Sequence, residues 1–177
     1  MRKYFLFFLS VAAVLSLNGC GYTTTSQMMQ RYSTIHVDTF KNKITFSGDA
    51  DKRNLYFPLL EVDTHNAIVD RFLFEGKLRP VDAQSADLTL RGVLKNYHRS
   101  PLRYTDNNDV EEYRVYITVG LELWDNRTGT MLWKEDDFVG DATYFISGSQ
   151  ASSEQDAVNN AVDDLARRIV ERVIEDW

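Results

Sequence analysis

The chain has 177 residues, with 20 basic and 26 acidic side chains and a formal net charge of −6 at pH 7. This length suits a single domain with a proper hydrophobic core, and an acidic chain is a poor non-specific binder of nucleic acid. The single cysteine excludes a disulfide within the chain, so packing alone has to stabilise the fold.

A signal sequence is predicted at residues 1–19. Arg2 and Lys3 precede an apolar run at residues 4–17, which has the length of a signal-peptide core and is too short to span a bilayer. The run ends in Leu-Asn-Gly-Cys, which resembles the lipobox of bacterial lipoproteins. We therefore expect cleavage before Cys20 and acylation of that residue, with an ordinary secretory signal and a free cysteine as the alternative.

Acyl chains on Cys20 would hold the protein to a membrane, since about two chains are needed for stable anchoring. Gly21 follows the cysteine, which in lipoproteins of two-membrane bacteria is compatible with passage to the outer membrane. We expect residues 20–32 to be the lipidated N-terminus and a polar tether, and residues 33–177 to form one periplasmic domain.

The domain is predicted to begin with a strand and a helix. Ile35 and Val37 alternate with polar residues in a first strand at 33–40, which a charged loop at 41–54 follows. A helix is predicted at 59–74, with Pro58 at its entrance and Gly76 at its exit. Five apolar side chains share one arc of this helix, namely Val62, Ile68, Val69, Phe72 and Leu73. A short extended piece is expected at 78–82.

Strict alternation of apolar residues predicts strands at 86–97 and 112–125. Between them, residues 98–111 contain Pro101 and a run of Asp and Asn, which favours a long hairpin tip. A tight turn at 126–129 ends in Gly129. The returning strand is predicted at 130–139, and its extension to Ile146 beyond a bend at Gly140 stays open.

The chain ends in a strongly amphipathic helix. Ser152 or Ser153 is suited to cap it, with Gln155 or Asp156 three residues later. One face carries an apolar stripe that continues towards Trp177, formed by Val158, Ala161, Val162, Leu165, Ile169, Val170, Val173 and Ile174. A helix with such a stripe has to pack against another element.

The order of these elements predicts an α/β (α+β) two-layer sandwich, with a mixed, mostly antiparallel sheet of about four strands and two helices on one face. Alternation then puts Arg91, Lys95 and Tyr97 on the other face, together with Tyr116 and Trp124 of the neighbouring strand. Solvent can cover such a face, but aromatic side chains and Arg are also typical of interfaces. A partner surface and a solvated face are both open.

The residue types needed for catalysis do not converge. His36, His65 and His98 show no metal-ligand spacing, and no cysteine is free to join them. The glycines form neither a phosphate loop nor a dinucleotide fingerprint, and the paired carboxylates suit charged turns. The sequence therefore predicts no enzyme, no cofactor and no metal site.

Several motifs follow one another along the mature chain. They are Cys-Gly-Tyr at 20–22, Phe-x-Asn at 40–42, Ala-Asp-Leu-x-Leu-x-Gly at 86–92, a hairpin with Pro101, Leu-x-Leu-x-Asp-x-x-Thr-Gly-x-x-Leu-Trp at 121–133, and a terminal helix ending in Trp177. Together they resemble the LPS-assembly lipoprotein LptE family. The chain departs from the family at 41–56, where a charged insertion stands before the first helix.

The resemblance implies a non-catalytic lipoprotein on the periplasmic side of the outer membrane. Members of the family plug an LptD-type β-barrel translocon, support its assembly, and contact lipopolysaccharide on its way to the cell surface. A different outer-membrane lipoprotein, such as an assembly or pilot factor for a secretion channel, is the alternative.

Two sets of contact residues are expected from the resemblance and the predicted sheet. Lipopolysaccharide phosphates favour basic partners, for which the candidates are Arg91, Lys95, Arg99 and Arg103. The candidates for contact with the barrel are Pro101, Tyr97, Tyr116 and Trp124.

Overall fold

The computed structural model describes residues 31–44 and 57–174. In chain order the elements are β1 (Thr34–Val37), β2 (Lys41–Asn42), α1 (Leu60–Glu75), β3 (Arg79–Pro80), β4 (Leu88–Tyr104), β5 (Val110–Asp125), β6 (Thr130–Phe145) and α2 (Glu154–Ile174). The predicted signal sequence, Cys20, most of the tether, residues 45–56 of the insertion and Trp177 lie outside the described residues.

The described strands form one mixed sheet in the order β3-β1-β4-β5-β6, with β2 also paired to β4. Strand β1 is parallel to β3 and β4, and β2 is parallel to β4, whereas the long strands β4, β5 and β6 are antiparallel. The predicted mixed α+β fold is confirmed. The predicted four strands understate the six, because β2 and β3 have two residues each and are too short to show an alternating pattern.

Both helices contribute to one hydrophobic core with the same face of the sheet. All eight residues of the predicted stripe on α2 are buried. Ser153 and Asp156 form the predicted capping box, because the Ser153 side chain accepts from the Asp156 N–H at 3.0 Å and the Asp156 carboxylate accepts from the Ser153 N–H at 3.1 Å. Helix α2 is therefore packed against the core along its length and capped at its N-terminus.

Helix α1 is where predicted, but its buried face is narrower. Its buried residues lie four apart in the sequence, at Leu60, Thr64, Ile68 and Phe72. The prediction of a wider arc is wrong, because Val62 remains 37% exposed and Leu73 60% exposed. This helix packs on α2 and on the short strands β1, β2 and β3, so only a thin line of its surface is covered.

The predicted long hairpin tip is also wrong. Strands β4 and β5 continue past Pro101, which pairs with Tyr113, and only residues 105–109 form the turn. A proline lacks a backbone N–H and is tolerated at a sheet edge. Among the described residues, no strand pairs with the outer side of β4 beyond Leu94. Pro101 therefore has a neighbouring strand on one side, and its pairing with β5 becomes irregular directly after it.

An irregularity in β4 turns two predicted side chains to the other face. The regular pairing with β5 breaks after Leu94 and resumes beyond Lys95, which is an extra residue in β4. An extra residue reverses the faces that follow it. Tyr97 therefore pairs with buried Ile117 and lies on the helix side, and Arg99 follows it. The prediction that Tyr97 lies on the open face, opposite the helices, is wrong.

Candidate functional site

The open face carries Arg91 and Trp124, as the sequence predicts. The guanidinium group of Arg91 lies 5.1 Å from the ring centroid of Trp124, and the indole N–H donates to Glu122 at 3.2 Å. Asp38 approaches Arg91 only to 3.9 Å, and both side chains are 53% exposed. Such an ion pair contributes little in water, so the charge of Arg91 stays available.

Lys95 also reaches the open face, but β6 supplies partners for it. The ammonium group donates to the backbone carbonyl of Asp136 and lies 3.6 Å from the carboxylates of Asp136 and Asp137. The pairing of β5 with β6 is irregular where these two residues stand. Lys134 lies 3.4 Å from Asp136 as well. An acidic bulge therefore compensates two of the lysines on this face.

A cleft of about 550 Å³ opens on this face between β2 and β6. Gly120 lies at its floor and has no side chain that could fill it. We call it the β2 cleft; its charged lining residues are Asp38, Lys41, Lys43, Arg91, Lys95, Glu122, Lys134 and Asp136. Cations outnumber carboxylates there, in a chain whose net charge is negative.

Tyr116 is the second aromatic barrel-contact candidate on the open face. Its ring stacks against that of His98, with the centroids 6.1 Å apart. Both residues lie nearer the 105–109 turn than the β2 cleft does. Aromatic side chains thus lie at two positions along the strands of this face, Tyr116 nearer the 105–109 turn and Trp124 nearer the β5–β6 turn. Charged side chains lie between them.

Arg99 and Tyr97 belong to an internal cluster around Glu154, the first residue of α2. Glu154 accepts from the Tyr97 hydroxyl at 2.6 Å and from Arg99 at 2.9 Å. The Arg99 guanidinium also lies 4.0 Å from the ring centroid of Tyr113. Burial opposes the charge of Arg99, but its bonds to Tyr144 and Glu154 raise its pKa. Burial also opposes the charged form of Tyr144, and this raises the pKa of its hydroxyl group.

Arg103 lies near the hairpin tip, as predicted. Its side chain is 60% exposed and 3.5 Å from Glu112, whose side chain is only 7% exposed. The guanidinium group also covers the ring of Phe145 at 5.4 Å. Large apolar side chains that remain 44–52% exposed stand at the same end of the sheet, namely Leu102, Tyr104 and Ile146.

A further cluster, which was not predicted from the sequence, lies at the opposite end of the long strands. Asp125, with a side chain only 1% exposed, accepts from the buried Tyr32 hydroxyl at 2.7 Å and from the Arg127 N–H at 2.8 Å. Asp87 accepts from the N–H groups of Ser33 and Thr34 at 2.9 and 3.1 Å. We call this group the strap cluster, because it binds residues 32–34 to the β5–β6 turn.

Hydrogen bonding keeps both carboxylates of the strap cluster ionised. The Ser33 N–H, with further bonds from Arg127 and Thr34, holds the pKa of Asp87 far below its usual range. Burial alone would raise the pKa of Asp125, but its bonds to Tyr32, Arg127 and Thr128 lower it. Asp87 belongs to the motif at 86–92 and Asp125 to the motif at 121–133. They stand 38 positions apart in the chain, so their shared role could not be predicted from the motifs.

The histidines remain apart. His36 Nδ1 lies 3.1 Å from the Val81 carbonyl oxygen, and His65 Nδ1 lies 3.4 Å from that of Asp38. Within residues 31–44 and 57–174, no group of three His, Cys, Asp or Glu side chains is placed to hold a metal ion. Over the same residues, no helix combines the length and the apolar character that a membrane crossing requires.

A family model for LptE, described as lipopolysaccharide-assembly, matches residues 32–173. The chain belongs to the LptE family. The match runs from the strap cluster to the last turn of α2 and confirms the resemblance that the motifs carry. This LptE-family chain is thus an outer-membrane lipoprotein of lipopolysaccharide assembly, in a family without enzymatic activity.

Solved structures are similar to this chain at low sequence identity. The hypothetical protein CT253 from Chlamydia trachomatis is 14% identical, with a TM-score of 0.51 over 80% of the LptE-family chain and 95% of its own. The rare lipoprotein B from Shewanella oneidensis is 15% identical, with a TM-score of 0.44 over 79% and 91%. The PelC dodecamer from Paraburkholderia phytofirmans is 14% identical, with a TM-score of 0.46 over 83% and 91%. No curated protein matches by sequence.

Proposed function

We propose that the protein is tethered to the outer membrane by acyl chains on Cys20 and serves an LptD-type β-barrel translocon as its plug and assembly partner, helping to deliver lipopolysaccharide to the outer leaflet. The observation that carries this proposal is the family match over residues 32–173, which includes the complete sheet and both helices. The task needs a stable shape and a suitable surface, and no bond-making residues.

The open face is the proposed contact surface. Tyr116 and Trp124 on this face are proposed to contact the barrel, because aromatic anchors dominate interface energetics. The exposed Pro101, which pairs with Tyr113 on the helix side of the sheet, is proposed as a further barrel contact from the hairpin end of β4. Arg91, Lys95 and Arg103 are proposed to contact lipopolysaccharide. Two further candidates from the sequence, Tyr97 and Arg99, form hydrogen bonds within the domain. We therefore do not propose them as contacts with the barrel or with lipopolysaccharide.

Extraction of a tagged copy from outer membranes in mild detergent tests the partnership. We expect an equimolar complex with one large β-barrel protein, identified by mass spectrometry. A ring of identical subunits without a barrel would overturn the proposal and support a secretion-channel assembly factor instead.

A matched pair of variants tests the surface. Tyr116→Ala with Trp124→Ala is expected to weaken recovery of the barrel at least tenfold, since loss of a hot-spot side chain costs about 2 kcal/mol or more. Phe74→Ala removes an aromatic side chain that is 80% exposed on α1 and should leave recovery unchanged. Equal loss in both variants would argue against the open face.

A further inference from the structure

Helix α1 carries a second line of apolar side chains, which the core leaves largely uncovered. The N-cap residue Leu59 is 62% exposed, Val62 is 37% exposed and Leu73 is 60% exposed, while Val69 is half-buried. Together with Asn66 they follow one another at spacings of three, four, three and four residues, which places them on one side of a helix. We call these five residues the α1 stripe. Exposed apolar side chains in such a line are typical of a surface that binds a further element.

The spacing of the α1 stripe is that of a coiled coil. Apolar residues that recur at three and four positions face a second helix, whose side chains fill the gaps between them. Asn66 stands in the middle of the stripe, and a single asparagine at such a position fixes the register of two paired helices at some cost in stability. The 16 residues of α1 extend for roughly 24 Å at 1.5 Å per residue. The stripe therefore suits a partner that is itself a helix.

Two carboxylates flank the α1 stripe on one side. Asp63 and Asp70 each stand one residue after a valine of the stripe, and both are exposed. The one arginine of α1, Arg71, is bonded to Glu75 at 2.6 Å. Within residues 31–44 and 57–174, neither Asp63 nor Asp70 takes part in an ion pair. Charges at such flanking positions decide which helices pair with one another, so this flank selects for a basic partner.

The same flank disfavours a second copy of α1 as the partner. In an antiparallel pair the two aspartates of one copy would lie next to those of the other, and like charges on neighbouring helices repel. In a parallel pair they would face the opposite flank of the stripe, where Phe72 is buried in its own core and no cation is present. Lys or Arg on a different helix would instead be attracted to Asp63 and Asp70.

We propose that the α1 stripe binds an amphipathic helix of a partner protein, in which apolar residues at coiled-coil spacing are flanked by Lys or Arg. The contact lies on the helix layer of the domain, whereas Tyr116 and Trp124 lie on the open face of the sheet. The inference goes beyond the proposed function, because this contact needs neither the barrel nor lipopolysaccharide.

Titration of the full-length protein in nonionic detergent with a synthetic helix tests the contact. The probe is a fluorescent peptide of about 21 residues, or three heptads, with Leu at the apolar positions, Asn at the central one and Lys on both flanks. A second peptide has Glu in place of every Lys. Fluorescence anisotropy should show that the Lys peptide binds at least tenfold more tightly than the Glu peptide.

Charge reversal on the protein tests the role of the acidic flank. Asp63→Lys with Asp70→Lys should exchange the preference, so that the Glu peptide binds at least tenfold more tightly than the Lys peptide. Asp106→Lys with Asp109→Lys makes the same charge change at exposed positions of the 105–109 turn and should change the affinity for either peptide less than twofold. Equal effects of the two variants would show general charge attraction and overturn the inference.

A second pair of variants tests the apolar part of the contact. Leu59→Ala with Leu73→Ala should weaken binding of the Lys peptide at least tenfold. Leu102→Ala with Ile146→Ala removes side chains that are 44% and 48% exposed at the hairpin end of the sheet and should change binding less than twofold. All four side chains are exposed, so the native fold is retained in both variants.

Other results would assign the α1 stripe to a different occupant and overturn the inference. A dimer of the native chain that Leu59→Ala with Leu73→Ala dissociates in sedimentation would assign it to a second copy. Binding that appears only after residues 45–56 are replaced by a Gly-Ser linker would assign it to that segment, which lies outside the described residues. Failure of both peptides to bind would also overturn it. Co-purification with a barrel would stand in each case, because it depends on the open face.

Discussion

The carboxylate of Asp125 is almost completely buried, yet its pKa is lowered. An isolated charge in such a place is costly, but Asp125 accepts bonds from the Tyr32 hydroxyl and from the N–H groups of Arg127 and Thr128. The charge is therefore part of the fold: it ties the first described residues to the β5–β6 turn.

Asp125→Asn should lower the free energy of unfolding by about 2 kcal/mol at neutral pH, since hydrogen bonds to charged groups contribute about 1.5–3 kcal/mol. The folded pKa of Asp125 is below the unfolded value of about 3.9, so this stabilisation is present above about pH 4 and is lost as the pH falls through the folded pKa. Urea unfolding from pH 7 to acid should show the gap between native chain and variant closing. The exposed Asp82→Asn serves as control, and a gap independent of pH would contradict the prediction.

Arg99 offers a second test at the scale of one side chain. Its side chain and that of Glu154 are 19% and 14% exposed, and loss of one partner leaves the other charge partly buried. We expect Arg99→Met to lower the free energy of unfolding by about 2 kcal/mol, measured by urea denaturation, and the exposed Arg79→Met to change it by less than about 0.5 kcal/mol. An Arg99→Met variant of native stability would return Arg99 to the candidates for lipopolysaccharide contact.

At the scale of elements, α2 and β6 approach so closely that one glycine decides their spacing. A Cβ at Gly140 would lie 2.4 Å from the Cβ of Leu165 and 2.7 Å from the Ala161 carbonyl oxygen. Overpacking of this kind costs about 1–3 kcal/mol, so Gly140→Ala should lower the thermal midpoint by several degrees. A Cβ at Gly120 would have its shortest contact, 3.2 Å, with the flexible end of Lys95, and its contact with the Asp136 carbonyl oxygen at 3.7 Å is an ordinary one. Gly120→Ala should therefore leave the midpoint nearly unchanged. Equal shifts in the two variants would be inconsistent with this packing.

Sequence periodicity correctly predicted the buried residues of a helix where neighbouring elements cover its whole apolar face. Every residue of the stripe on α2 is in the core, because that helix lies along β5 and β6. On α1 the same reasoning placed Val62 and Leu73 inside, and they are exposed, because periodicity shows which side is apolar but not how much of it a neighbour covers.

Local irregularities limited the prediction of the candidate site. Strict alternation predicted the faces of Arg91 and Trp124, but one extra residue at Lys95 reversed the face of Tyr97. Nothing in a pattern of period two marks such a bulge. The strap cluster was missed for another reason: Asp87 and Asp125 meet only through strand pairing, which the spacing of motifs along the chain does not reveal.

At the scale of the whole molecule, the long strands separate two different ends. The sixteen residues of β5 extend for roughly 50 Å at about 3.3 Å per residue. The strap cluster holds Tyr32 to one end, next to residues 126–129, and the turn at 105–109 with its exposed apolar side chains lies at the other. The described part of the chain therefore begins at the strap end, and the β2 cleft lies between the two ends.

The anchor itself is the remaining prediction. An acidic domain has little electrostatic attraction to a membrane with anionic lipids, whereas each buried methylene of an acyl chain contributes about 0.8 kcal/mol. Native protein should incorporate labelled palmitate in growing cells, and Cys20→Ser should incorporate none, since Cys20 is the single cysteine. Asn18→Ala keeps the thiol and should retain the label. Label that persists in Cys20→Ser, or native protein with the mass of an unmodified thiol, would contradict lipidation at this residue while leaving the fold and the β2 cleft unaffected.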